Sequence, residues 1–163
     1  MSEPIKRSRL RGFLDISGTP ATPDYALMAD GITAGEKALN PNVTSEIFLH
    51  QDSATPNIDS YAPTLPFDAQ YRAGDDVLDF LEGLQRVPPV GADAFSSYVE
   101  VYLYDTPVGN EYPAVKRDCS IQFDNFGGDA GVPIRIKGTL LFSGDPVVGT
   151  FDPETGVFTE TSA

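Results

Sequence analysis

The chain has 163 residues, 24 of them acidic and 11 basic, for a net charge of −13. That length suits one domain, residues 1–163, with a sizeable core, and the lone Cys119 excludes a disulfide framework of the secreted kind. The acidic balance argues against a body that grips nucleic acid, because such affinity comes mostly from cations neutralising phosphates.

The charge is uneven along the chain. Lys6, Arg7, Arg9 and Arg11 stand in the first 11 positions beside one acid, Glu3, which leaves 7 basic and 23 acidic residues elsewhere, net −16. Residues 6–16 read as an extended segment with the arginines on one side and Leu10 and Leu14 on the other. Two accounts fit it: an arm that pairs with the acidic body of another copy, or a solvated edge strand whose charges discourage aggregation. A nucleic-acid patch is the weaker third, since the cluster is short and the rest repels phosphate. The apolar run at 12–18 is too short for a signal peptide and Asp15 breaks it, so a protein made and kept in a reducing cytoplasm before assembly is expected.

Residues 17–24 are a loop by composition, 25–28 a short apolar patch, and 29–42 a polar run containing glycine. Residues 45–50 read as a strand and 51–60 as a long loop, mobile unless it has a partner. Residues 61–71 look extended, with Pro63 and Pro66 limiting them to an edge or bulged position. The spacing predicts a helix over 75–86. Val77, Leu78, Phe80, Leu81 and Leu84 fall on one face, and Asp75, Asp76, Asp79 and Glu82 on the other. Acids at its start and Arg86 at its end suit the helix dipole, Gly74 or Asp75 caps it, and Pro88 and Pro89 stop it. It is expected to cover one sheet face.

Residues 98–142 are read as the central strands. Val99, Val101 and Leu103 alternate with Tyr98, Glu100, Tyr102 and Tyr104; Cys119, Ile121 and Phe123 with Asp118, Ser120, Gln122 and Asp124; Ile134 and Ile136 with Arg135 and Lys137. Turns are expected at 106–113 and 125–131, and a further strand at 144–151 leads to Val157 and Phe158. A mainly-β meander or sandwich half follows, with 15 Gly and 14 Pro as turn punctuation.

No constellation points to catalysis, a cofactor or a metal. His50 is the only histidine, so one chain offers no two-histidine metal site, and Cys119 sits on an apolar face as a small hydrophobe. Residues 124–129 offer oxygens and glycines but lack the bidentate glutamate of a calcium loop, so a hairpin turn is expected there. Asp75 and Asp76 open a helix rather than form a catalytic pair, because helix neighbours point in different directions.

Several stretches together resemble the major tail tube proteins of long-tailed bacteriophages, over nearly the whole chain. They are Ile5-Lys-Arg-Ser-Arg-Leu-Arg-Gly-Phe-Leu-Asp15, Tyr25-Ala-Leu-Met-Ala-Asp-Gly-Ile-Thr33, Asn40-Pro-Asn42, Tyr61-Ala-Pro-Thr-Leu-Pro-Phe67, Tyr98-Val-Glu-Val-Tyr-Leu-Tyr-Asp105, Lys137-Gly-Thr-Leu140 and Gly144-Asp-Pro-Val-Val-Gly-Thr-Phe-Asp152. The match is weaker over 30–42. The resemblance implies a β-sandwich with a flanking helix and extended terminal arms, six copies in a ring, and rings stacked into a hollow tube of the virion through which DNA passes. It implies further tail proteins at the tube ends, and neither enzymatic activity nor a membrane. By position, the basic arm within 1–14, the loop 51–60 and the segment 147–163 would bridge subunits and rings. That makes Lys6, Arg7, Arg9, Arg11, Asp52, Asn57, Phe151 and Phe158 the interface candidates.

Six copies would bring 6 × −13, or −78, around a pore. A negative wall repels phosphate within about 8 Å at physiological salt, so DNA would slide rather than stick. Glu100, Asp118 and Asp124, on the polar face of the central strands, are candidates for that wall, with ordinary solvent exposure the competing account. The alternative function is a monomeric carbohydrate-binding module of a tail or capsid appendage, with Tyr98, Tyr102 and Tyr104 as a stacking platform. A hydrolase using clustered carboxylates ranks last.

Overall fold

The computed structural model describes residues 2–19 and 21–161. In chain order it has β1 (Leu10–Asp15), β2 (Tyr25–Leu27), β3 (Ile32–Gly35), β4 (Pro41–Glu46), β5 (Thr55–Tyr61) and β6 (Thr64–Gln70). The helix α1 (Asp76–Gln85) follows, then β7 (Phe95–Tyr102), β8 (Tyr112–Gly127), β9 (Arg135–Asp152) and β10 (Val157–Glu160). Eight strands form one antiparallel sheet in the order β2-β1-β7-β8-β9-β6-β3, with β10 added to β9, while β4 and β5 pair only with each other. The fold is mainly β, sandwich-like and flanked by one helix, as the alternation predicts.

The long β8–β9 hairpin shapes the sheet. Its pairing is interrupted by bulges at Lys116/Asp118 and at Phe123/Asn125, and bulges bend a strand and increase its twist. The first part of β9 pairs with β6 and its last residues with β10. The expected break near Gly144 is therefore absent, and one strand serves two layers. Gly138 is crowded by both strands that flank β9: a Cβ there would lie 2.4 Å from the Gln122 carbonyl oxygen of β8 and 2.8 Å from the ring of Phe67, its partner on β6.

Curling covers β7 on both faces. Tyr98 joins Leu14, Leu65, Phe67, Ile121 and Leu140 in one core, to which α1 adds Val77 and Leu81. Val99 and Val101 join Phe13, Tyr25, Ala114 and Phe151 in the other. The expected polar face of this strand is thus interior at Tyr98 and Glu100. Alternation shows two faces but not what lies against each.

The helix begins where its sequence says it should. The Asp75 carboxylate accepts a 3.0 Å hydrogen bond from the Leu78 amide, filling one of the open amides of the first turn. Val77, Leu78 and Leu81 are fully buried, and Arg86 meets Glu82 one turn back at 2.8 Å. Residues 6–16 differ from expectation, since a short 3-10 turn at Arg7–Arg9 precedes β1. β6 is no edge strand, being flanked by β9 and β3. Pro66 falls in the gap between the Ala38–Thr64 bridge and the Phe67–Gly35 pairing.

Candidate assembly interface

The segment read as a strand at 45–50 and a loop at 51–60 is a β-hairpin instead. β4 and β5 pair from Pro41–Tyr61 to Glu46–Thr55, with a bulge beside Asn42. The register sorts its side chains. Pro41, Val43, Ser45, Pro56, Ile58 and Tyr61 share one face, apolar but for Ser45; Asn42, Thr44, Glu46, Thr55, Asn57 and Ser60 share the other. Such sorting is what a sheet shows when one side is covered, yet every residue of both strands is exposed, Val43 and Ile58 by half or more. The tip carries Ile47, Phe48 and Leu49, all exposed, with His50 stacked on Phe48 at 6.4 Å. An isolated two-stranded hairpin is marginal in water, and its bare edges invite pairing with another chain.

The root, by contrast, is tied down. Ala38 and Thr64 exchange two 2.8 Å backbone bonds. Asn40, at φ 47, gives its side-chain amide to the Ala62 carbonyl at 3.0 Å and the Thr64 hydroxyl at 3.3 Å. The Lys37 ammonium meets the Glu100 carboxylate at 2.9 Å, and the Tyr102 hydroxyl donates to the same oxygen at 2.6 Å. Desolvation, and then that carboxylate, push the Tyr102 hydroxyl far above the usual tyrosine range, so it stays a donor.

Glu100 is therefore not a candidate for a pore wall: it is 7% exposed and engaged from two sides. Asp118 and Asp124 are exposed, and Asp124 accepts from Gln122 at 2.7 Å and Thr139 at 3.1 Å. Phe151 is no interface residue either, being fully buried with Phe13 at 4.5 Å and Tyr25 at 6.0 Å between ring centres. Phe158 lies opposite it in the β9–β10 pairing and packs on the same core. The predicted C-terminal bridge is thus built into its own sheet through Thr161, with Ser162 and Ala163 outside the described residues. Asp52 lies exposed in the hairpin's tip, and Asn57 is exposed on β5, bonded to Asp59 at 2.7 Å.

In the basic arm, whose Met1 lies outside the described residues, Arg7 binds the carbonyls of Leu10 and, at 3.0 Å, Gly35. Arg9 binds the Leu103 carbonyl at 2.7 Å. Both hold their own subunit. Lys6 and Arg11 are exposed and form no ion pair among the described residues. The three-tyrosine platform does not form, because Tyr98 is interior while Tyr102 and Tyr104 stand edge to face at 5.8 Å.

Gly149 gives a direct check on the C-terminal strand. A Cβ there would lie 2.2 Å from the Thr159 carbonyl oxygen, so Gly149→Ala is expected to pry β10 from β9. The denaturant midpoint should fall by the equivalent of about 1–3 kcal/mol; an unchanged midpoint would show that β10 contributes nothing.

Chemistry is scarce elsewhere. Burial, then Asp118 and Asp15, push the Cys119 thiol up to about 12, which leaves no nucleophilic thiolate at neutral pH. Among the described residues no group of three or more metal-ligating side chains occurs, and no helix is long and apolar enough to cross a membrane.

No protein-family model and no curated protein sequence matches the chain. In fold it is similar to a chain in the cryo-EM structure of the anti-feeding prophage (AFP) baseplate, 6-fold symmetrised. The TM-score is 0.50 and the identity 12%, over 91% of this chain and 97% of that one. Likeness at that identity is a likeness of fold, and it extends over the whole body rather than a fragment.

Proposed function

We propose that this protein is a structural component of a phage-tail-like particle, a non-enzymatic subunit that closes in sixes into rings stacked as a tube. The observation that carries this reading is the β4–β5 hairpin, which has a mostly apolar face and tip but no cover among the described residues of its own subunit. Neighbouring copies are the simplest cover, since one surface then serves every subunit of a symmetric assembly. Two further facts support it: the fold likeness to a chain of a 6-fold symmetrised prophage baseplate, and the sequence resemblance to tail tube proteins. Other tail proteins would meet the ends of such a tube in the virion, and DNA would pass without specific binding along a wall that includes Asp118 and Asp124.

Negative-stain electron microscopy of the full-length protein at high concentration is expected to show rings or tubes with a central hole. Linear duplex DNA added at about 0.15 M salt should elute separately from them, since net-negative walls offer phosphate no counter-charge. A subunit that stays monomeric at millimolar concentration would overturn the assembly, and DNA retained on the tubes would overturn the conduit.

A further inference from the structure

The sheet does not close on itself. Its two end strands, β2 and β3, face each other across a cleft of about 510 Å³. Leu10, Leu27, Met28 and Phe67 line its apolar part, and Arg7 and Arg11 stand on its rim. No strand ladder bridges it among the described residues: β3 pairs with β6, and the β1–β2 ladder starts at Phe13, with the Gly12 carbonyl accepting from the Met28 amide at 2.9 Å and the Leu10 amide bonded to the Arg7 carbonyl. Arg7 spans part of the gap by holding the carbonyls of Leu10 and Gly35, and Arg11 is left without an ion-pair partner among the described residues.

The hairpin tip is the converse of this cleft. It offers Ile47, Phe48 and Leu49, all exposed in their own subunit, between the acids Glu46 and Asp52. A cleft of this size falls within the roughly 300–1,000 Å³ typical of sites that enclose small ligands, room for two or three such side chains. Arg11, exposed on the rim, meets the acids beside the tip. We propose that the hairpin tip of one copy seats in the open seam of another. This rests on the assembly reading above and names the contact that makes it.

The test is a disulfide trap in the full chain with Leu27→Cys and Leu49→Cys together. The two positions must come within about 7 Å between Cα atoms to bridge. The native Cys119 is buried and its thiol pushed up to about 12, so it stays silent. Under copper–phenanthroline in air, at concentrations where the native protein assembles, a non-reducing gel should show a ladder of linked subunits, at least tenfold above either single variant. Assembly without that ladder overturns the seating and leaves the tube intact as an idea; no assembly of the native protein overturns both. A charge exchange covers the case in which the cysteines disturb packing. Arg11→Glu should lower assembly about tenfold by light scattering, and adding Glu46→Arg should restore it. Failure of that rescue in folded protein also overturns the seating.

Discussion

Replacing residues 42–60 with an Asn-Gly turn is expected to leave a folded subunit that no longer assembles. Pro41 and Tyr61 are cross-strand partners, so a two-residue turn of the kind that matches strand twist can join them directly. The excised segment holds no buried residue within β4 or β5, and neither strand belongs to the main sheet. Both cores are complete without it. The Ala38–Thr64 bridge and the Ala62–Asn40 bond stay in place to seal the root. Thermal melting should therefore change by no more than a few degrees, whereas particles should disappear from micrographs and light scattering. Tubes formed by the excised variant would place the subunit contacts elsewhere, and a large drop in melting temperature would mean that the hairpin braces its own body.

The same hairpin marks the limit of what the sequence discloses. Its strands carry Asn, Asp, Ser, Thr and Pro at a density that reads as loop, and the apolar residues that sort onto one face come singly. Val43 and Ile58 are recognisable as a pair only once the register is known. The helix lay at the other extreme, with its cap, its apolar face and its stop all written within a dozen residues. Its observed span, Asp76–Gln85, lies one residue inside the expected one at each end. Phe151 is assigned by position from the resemblance, which does not show that its ring packs on Phe13 and Tyr25, whereas Glu100 is assigned from alternation. Period-two alternation separates faces but says nothing of a second layer, and here the curl of β8–β9 supplies one to both sides of β7. Nothing local to Glu100 foretells Lys37, 63 positions away. A polar residue between two valines on a strand flanked by aromatics was the available hint of a buried partner.

Lys37→Met is expected to destabilise the subunit by roughly 2–4 kcal/mol, because removing one member of a buried ion pair strands the other. The side chains of Lys37 and Glu100 are 21% and 9% exposed, and the remaining Tyr102 hydroxyl offsets only part of the loss. Lys37→Met with Glu100→Met should recover most of it, since paired apolar replacement removes the stranded charge. The urea midpoints of the cycle should then give a coupling of about 1–3 kcal/mol. A Lys37→Met midpoint within about 0.5 kcal/mol of the native value would show the pair to be an ordinary surface contact. The pair also has a positional role. Lys37 lies between β3, one lip of the seam, and the hairpin root, so its bond to β7 fixes where the hairpin leaves the body. Hydrogen exchange can read that role apart from global stability. The amides of Ala38 and Thr64, locked at 2.8 Å in both directions, should exchange faster in Lys37→Met than overall unfolding explains, and native-like protection there would show the root to be held without the ion pair.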